Sequence, residues 1–311
     1  MTQNPNENIR LGIDLGGTKI EVIALNSAGK TLYQTRTPTP KHRDAPQQYQ
    51  LILNTIQNLV ETCEANLSPL NQMPLGIGLP GSISLKTGLV KNANTTCLIG
   101  RDFNQDLNTL LSRKVCLAND ANCFALSEAI DGAGKYATCV FGVILGTGVG
   151  AGIVINQKTL NGANAIAGEW GHNPLPWFDE KDEPQQPCYC GQNGCIETYL
   201  SGPGFEKQSQ LQLNSTYSCR ELFTQKHTNA IASNAYELYT KRLAKSLASV
   251  INVLDPNVIV LGGGLSNIDS LYTDVPKIWG EYIFSDEVNT KLVKNQFGDS
   301  SGVRGAAWLT N

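Results

Sequence analysis

Short apolar runs and glycine turns alternate with stretches of helical rhythm along this chain. Residues 11–26 read LGIDLGGTKIEVIALN and residues 141–156 read FGVILGTGVGAGIVIN. Aligned without gaps, Gly12/Gly142, Leu15/Leu145, Gly16/Gly146, Ile23/Ile153 and Asn26/Asn156 are identical. Each copy is an apolar strand, a glycine turn and a second apolar strand. One such hairpin near the start and another near the middle predict two similar α/β domains facing each other.

The remaining segments continue the alternation. Leu51, Ile52, Ile56, Leu59 and Val60 share one face of a helix predicted over 45–65. Leu75–Leu79 is a short apolar strand closed by the turn Pro80-Gly81. Residues 115–118 form another strand, followed by a helix over Asp120–Ile130. A long amphipathic helix is predicted over 235–253, ending before Asp255-Pro256. A buried strand over 258–261 runs into Gly262-Gly263-Gly264, and a short helix over 303–309 closes the chain. Strands alternating with helices predict a largely parallel, covered sheet in each domain. Residues 179–186 are polar and contain proline, which reads as an exposed loop.

Residues 137–155 carry no charge and approach the length of a membrane span. Gly142, Gly146, Gly148, Gly150 and Gly152 would each cost a helix about 1 kcal/mol relative to Ala, so two strands and a turn fit better. Residues 1–8 are polar and lack the apolar core of a signal peptide, and the C-terminus carries no lipidation signal. A length of 311 residues calls for two cores, and 41% hydrophobic with 16% charged residues fits a globular chain. The net charge of -3, without a Lys/Arg-rich run, argues against a nucleic-acid or acidic-membrane partner.

Nine cysteines are an odd count for a disulfide framework. Cys63, Cys97, Cys116, Cys123 and Cys139 stand singly in apolar or mixed contexts, as buried thiols do. Cys188, Cys190 and Cys195 are clustered, which fits a reducing cytoplasm and one metal site. They lie in Cys188-Tyr189-Cys190-Gly191-Gln192-Asn193-Gly194-Cys195-Ile196-Glu197, after Gly168-Glu169-Trp170-Gly171-His172. Three thiolates and one imidazole, His172, compose a closed tetrahedral structural zinc site. The alternative is three unliganded thiols on a surface loop, open to oxidation. Glu169 and Glu197 flank these ligands, placed to grip sugar hydroxyls or to stand as solvated glutamates. His42 and His227 have no such neighbours.

Two glycine turns carry phosphate chemistry. In Asp14-Leu15-Gly16-Gly17-Thr18-Lys19 a strand presents Asp14 at its end, and Gly16 and Gly17 let backbone N–H groups approach an anion. Thr18 adds a hydroxyl and Lys19 a charge, and Asp14 is placed to hold Mg²⁺ through water. A plain hairpin turn is the rival reading, and the second copy argues against it. Gly146-Thr147-Gly148-Val149-Gly150 has Ile144 where the first copy has Asp14, so it would cradle phosphate without metal. Gly262-Gly263-Gly264 would let the adenosine end of a nucleotide lie against the backbone. In Leu117-Ala118-Asn119-Asp120-Ala121-Asn122, Asp120 is framed as a general base or as an N-cap.

At these residues the sequence resembles the ROK family of sugar kinases and repressors. The motifs are D-L-G-G-T-K (14–19), L-A-N-D-A-N (117–122), L-G-T-G-V-G-A-G (145–152), G-E-W-G-H (168–172), C-Y-C-G-Q-N-G-C-I-E (188–197) and L-G-G-G (261–264). The text at 80–84, 90–96, 171–177 and 298–308 looks most like bacterial fructokinases of the mannofructokinase type. The resemblance implies two actin-like (ribonuclease H-like) α/β domains, with ATP and sugar in the cleft between them. The expected boundaries are 1–119 plus 299–311 for a small domain and 120–298 for a large domain carrying the zinc loop. It implies Asp120 as the base, sugar contacts from Asn94, Asn119, Asp120, Glu169, His172 and Glu197, and zinc on His172, Cys188, Cys190 and Cys195. The second ring nitrogen of His172 is expected close to the sugar. A cytoplasmic homodimer is expected.

The expectation is therefore an ATP-dependent hexose kinase acting on fructose. An N-acetylglucosamine, N-acetylmannosamine or glucose kinase of the same family is the alternative. A repressor of the family would carry a helix-turn-helix before the first glycine turn, and about a dozen residues precede Asp14.

Overall fold

The structure, a computed structural model, describes residues 8–67 and 72–311. The polar start read above for a signal segment therefore lies outside the described residues, except for Asn8.

The chain opens with β1 (Arg10–Leu15), β2 (Lys19–Leu25) and β3 (Thr31–Pro38), then α1 (Ala45–Leu67) and β4 (Leu75–Leu79). A minor hairpin of β5 (Ser82–Ile83) and β6 (Val90–Lys91) precedes α2 (Phe103–Leu111), β7 (Val115–Asn119) and α3 (Asp120–Ile130). The second half runs β8 (Cys139–Leu145), β9 (Val149–Ile155), β10 (Lys158–Thr159), α4 (Glu197–Leu200), α5 (Gly202–Leu213), α6 (Cys219–Thr224) and α7 (Ala230–Leu254). It closes with β11 (Val258–Gly262), α8 (Leu271–Trp279), β12 (Lys291–Lys294) and α9 (Ser301–Trp308).

Two five-stranded sheets share one plan, ordered β3-β2-β1-β4-β7 and β10-β9-β8-β11-β12. In each, the first three strands pair antiparallel and the next two join parallel. The predicted internal repeat is thus the central hairpin of each sheet. Its ungapped alignment slips after the turn. Gly12 pairs with Ile23, whereas Gly142 pairs with Gly152 and not Ile153. The turn Gly146–Gly148 is one residue shorter than the turn Gly16–Lys19, as the bonds Gly16 N to Lys19 O (2.9 Å) and Gly146 N to Gly148 O (3.0 Å) show.

The two halves are interlocked. Helix α3 leaves the last strand of the first sheet but packs on β8 and β9 of the second. Helix α9 leaves the second sheet but packs on β1 and β4 of the first. The matched glycines of the repeat make room for them: a Cβ on Gly12 would stand 2.2 Å from Val303 O, and one on Gly142 2.8 Å from Ala125 Cα. Phe124, Leu126, Val140, Val260, Val303 and Trp308 belong to a buried cluster between the sheets, apart from the core of each. Burying such side chains stabilises by about 1.5–3 kcal/mol each, so the joint is a core in its own right.

The predicted strands and helices are present, with ends shifted by a few residues. The long helix starts at Ala230, where the Asn229 side chain accepts from the amides of Ile231 and Ala232. Among the described residues, no helix is long and apolar enough to cross a membrane, and 137–155 is the hairpin β8–β9.

Candidate active site

Asp14 is the last residue but one of β1, with its carboxylate against the first turn of α9, where a Cβ on Gly302 would stand 3.3 Å from Oδ2. Burial, then the nearby Asp120 carboxylate, push its carboxyl up to about 7. A buried carboxyl facing a second acid and ionising this late is a place that a divalent cation would relieve. The turn after it is held by Thr39, whose Oγ1 donates to Gly16 O at 2.6 Å and whose amide donates to Thr18 O at 2.9 Å. Gly17 and Thr18 stay exposed. The Lys19 ammonium is engaged at 3.1 Å by the buried Glu21 carboxylate, so its charge is partly spent inside the fold.

Asn119 rather than Asp120 is the N-cap of α3: its Oδ1 accepts from Ala121 N at 2.9 Å and its Nδ2 donates to Gly81 O at 3.0 Å. Both ends of this amide, expected to contact sugar, are engaged in the fold. Asp120 Oδ1 shares the same Ala121 amide at 2.8 Å while the residue opens to the cleft. The protein packed around its carboxylate raises the Asp120 pKa by desolvation, and Glu169 raises it further. That suits a proton acceptor better than an ordinary surface aspartate.

The second glycine turn lies beside the third. Gly263 is left-handed (φ +78°) and packs against Leu145, where a Cβ would meet the carbonyl oxygen at 2.4 Å. Glu197 Oε2 accepts from Val149 N at 2.8 Å, so this carboxylate holds the second turn in place. Glu169 and His172 lie on the single turn Glu169–His172. Gly171 presses that turn onto β9, with a Cβ placed 2.3 Å from Val149 O, and buried Trp170 packs edge-on to Phe141 at 5.7 Å.

The cysteine loop returns to this turn. The nearest donor atoms of His172, Cys188, Cys190 and Cys195 all lie within 4.8 Å of one another. His172 Nδ1 is 3.5 Å from Cys188 Sγ, and Cys190 Sγ is 3.6 Å from Cys195 Sγ. Tetrahedral zinc with ordinary bond lengths requires edges of about 3.5 Å (N to S) and about 3.8 Å (S to S). A disulfide would need about 2 Å. The donor set therefore has the chemistry and the size for zinc.

One cleft cavity of about 670 Å³ is lined by Asn94, Asn119, Asp120, Glu169, His172 and Glu197, together with Gly146, Thr147, Gly148 and Gly150. The structure thus brings the whole expected sugar set and the second turn to one chamber. Asp14, Gly16, Gly17, Thr18, Lys19 and Gly262, Gly263, Gly264 are not in that lining. The first turn lies against buried Thr95, the neighbour in sequence of the cleft residue Asn94, and a Cβ on Gly17 would stand 4.0 Å from Thr95 Oγ1.

The sequence reading missed two features. Tyr189 lines the cleft, and its hydroxyl sits 2.9 Å from His172 Nε2, the nitrogen expected to face the sugar. Its place between two ligand cysteines was the available signal. Residues 179–186 also form more than an exposed loop. Asp182 is buried, bonded by Arg242 Nε at 2.9 Å and Lys245 Nζ at 3.0 Å, both buried cations of α7. Tyr199 Oη donates to Asp182 O at 3.1 Å, tying this segment to the helix that starts at Glu197.

Residues 10–311 match the sequence profile of the ROK family. The chain is 39% identical to an N-acetyl-D-glucosamine kinase of Vibrio atlanticus (strain LGP32), covering 96% of this chain and 98% of that protein. It is 37% identical to one of Yersinia enterocolitica, with the same coverage. Among solved structures, a ROK hexokinase from Thermus thermophilus superposes with a TM-score of 0.83 at 26% identity, covering 97% of each chain. A ROK family glucokinase from Streptomyces griseus, solved with glucose and AMPPNP, gives 0.73 at 23% identity, covering 97% of this chain and 99% of that one. The chain belongs to the ROK family, and its two sheets form the actin-like two-domain fold of those structures.

Proposed function

We propose that this protein is an ATP-dependent sugar kinase that phosphorylates N-acetyl-D-glucosamine on its 6-hydroxyl. The observation that carries the kinase reading is the convergence of Asn94, Asp120, Glu169 and the turn Gly146–Gly148 on one cleft, with Asp14 near enough to Asp120 for the two carboxylates to act on each other. Asp120 would orient the sugar hydroxyl and accept its proton as the oxygen bonds to the γ-phosphorus and ADP departs. Glu169 would hold the sugar with His172 packed beside it, its ring nitrogens turned to Cys188 and Tyr189, and Glu197 would fix the turn Gly146–Gly148, whose remaining amides would face the phosphates. Mg²⁺ on Asp14 would supply charge compensation to the phosphates. Zinc on His172, Cys188, Cys190 and Cys195 would brace the loop that carries Glu197.

The amino-sugar reading rests on the relatives at 37–39% identity that bear that name. It displaces fructose, which rested on short stretches of subfamily-like text. A coupled ATPase assay over N-acetyl-D-glucosamine, N-acetyl-D-mannosamine, glucose, mannose and fructose tests it. The highest kcat/KM is expected for N-acetyl-D-glucosamine. A higher value for fructose or glucose overturns the sugar assignment, and no sugar-dependent ATP turnover overturns the kinase.

A further inference from the structure

Beside the cleft lies a second cavity of about 310 Å³, lined among others by Gln186, Thr198, Ser201 and Lys207. Tyr189 borders both cavities, together with Thr147, Glu197 and a ligand cysteine on each side. Tyr189 is 79% exposed and is the one aromatic ring in the lining of the chamber apart from the His172 imidazole. It is nevertheless held. Its hydroxyl lies 2.9 Å from His172 Nε2 and its ring stands edge-on to the imidazole at 5.0 Å and 90°. With Nδ1 given to zinc beside Cys188, Nε2 would carry the ring proton and donate it to the Tyr189 hydroxyl.

Building on the kinase reading above, we propose that Tyr189 is the specificity wall of the sugar chamber. Its ring closes the chamber off from the side cavity and receives the acyl methyl of the sugar's 2-substituent. Its hydroxyl holds His172 in place. A tyrosine suits both tasks, because it joins a large apolar body to one polar tip. The two roles separate by substitution. Tyr189→Ala opens the wall, while Tyr189→Phe keeps the wall and removes the partner of His172.

The test uses the full-length protein and a series of 2-N-acyl glucosamines, from acetyl to butanoyl, read by turnover and by calorimetric binding. One methylene in a pocket is worth roughly 10–200-fold in selectivity. Tyr189→Ala is therefore expected to raise the butanoyl-to-acetyl ratio at least ~10-fold, with Tyr189→Phe within about 2-fold of wild type. Tyr189→Phe is expected to hold zinc about 10-fold more weakly in competition with a colorimetric chelator, as removing a partner of a metal-bound histidine does. An unchanged ratio in a zinc-retaining Tyr189→Ala protein overturns the proposal, as does an equal change in Tyr189→Phe. If Tyr189→Ala fails to hold zinc, Tyr189→Trp decides: a bulkier wall must lower the ratio below wild type, and an unchanged ratio overturns the wall. A chain that binds the series without phosphorylating it sinks the kinase reading and leaves this test intact. A wild-type chain that binds none of the series overturns both.

Discussion

A Cβ on Gly305 would stand 1.6 Å from the carbonyl oxygen of Cys123, so the last helix and the helix beginning at Asp120 touch backbone to backbone. One turn before Gly305, Gly302 faces the Asp14 carboxylate. This single crossing therefore fixes the distance between the two acids of the proposed site. Gly305→Ala must push the helices apart. It is expected to cost about 3 kcal/mol in denaturant unfolding and to lower kcat. A variant as stable and active as wild type would remove the crossing from the account.

Cys190 is the exposed member of the four-ligand cluster, and its substitution disturbs the surrounding packing least. Elemental analysis of protein purified without added metal is expected to give one zinc per chain. Cys190→Ser is expected to lower that content, raise KM for the sugar and lower Tm together, because the metal braces the loop leading to Glu197. Full zinc and full activity in the variant contradict the ligand set.

Asp14→Asn separates phosphate chemistry from sugar binding. Turnover is expected to collapse while calorimetric sugar binding survives; loss of both would point to damage beyond the phosphate side. The same variant carries a pH signature. The folded carboxyl is raised from 3.8 to about 7, so its contribution to stability is full below about pH 4 and is lost as pH rises through 7. In Mg²⁺-free buffer Asp14→Asn should match wild type at pH 4 and be more stable at pH 8, by up to about 4 kcal/mol at about 1.36 kcal/mol per pKa unit. Equal stability at pH 8 contradicts the buried, acid-facing placement of Asp14.

Much of this architecture is written in local chemistry. The two glycine hairpins, the strand into Gly262 and the cysteine spacing are short-range signals, and each lies where its pattern placed it. What the sequence hid is long-range. The turn Gly146–Gly148 is a residue shorter than its partner, and identical residues on the far strands masked the slip. Arg242 and Lys245 look like the polar face of an amphipathic helix, yet they are buried because Asp182 returns from 60 residues away to meet Arg242. Asn119 is implied as a sugar contact by the family resemblance, and nothing in the sequence shows that its amide also closes a cap and a turn at once. The helices α2, α4, α5, α6 and α8 gave no reading: α2, α4 and α6 are short, α5 opens on Gly202-Pro203-Gly204, and α8 contains Pro276.

The central claim is that Asp120 takes the proton of the sugar hydroxyl, and Asp120→Asn tests it most directly. The substitution keeps shape and can still accept from Ala121 N, while Asn119 caps the helix in either case. Stability and ATP binding should therefore stay near wild type. A positioned base contributes roughly 10²–10⁴-fold, so kcat in steady-state kinetics with N-acetyl-D-glucosamine should fall at least ~100-fold. Near-normal turnover in a variant that melts like wild type would contradict the account.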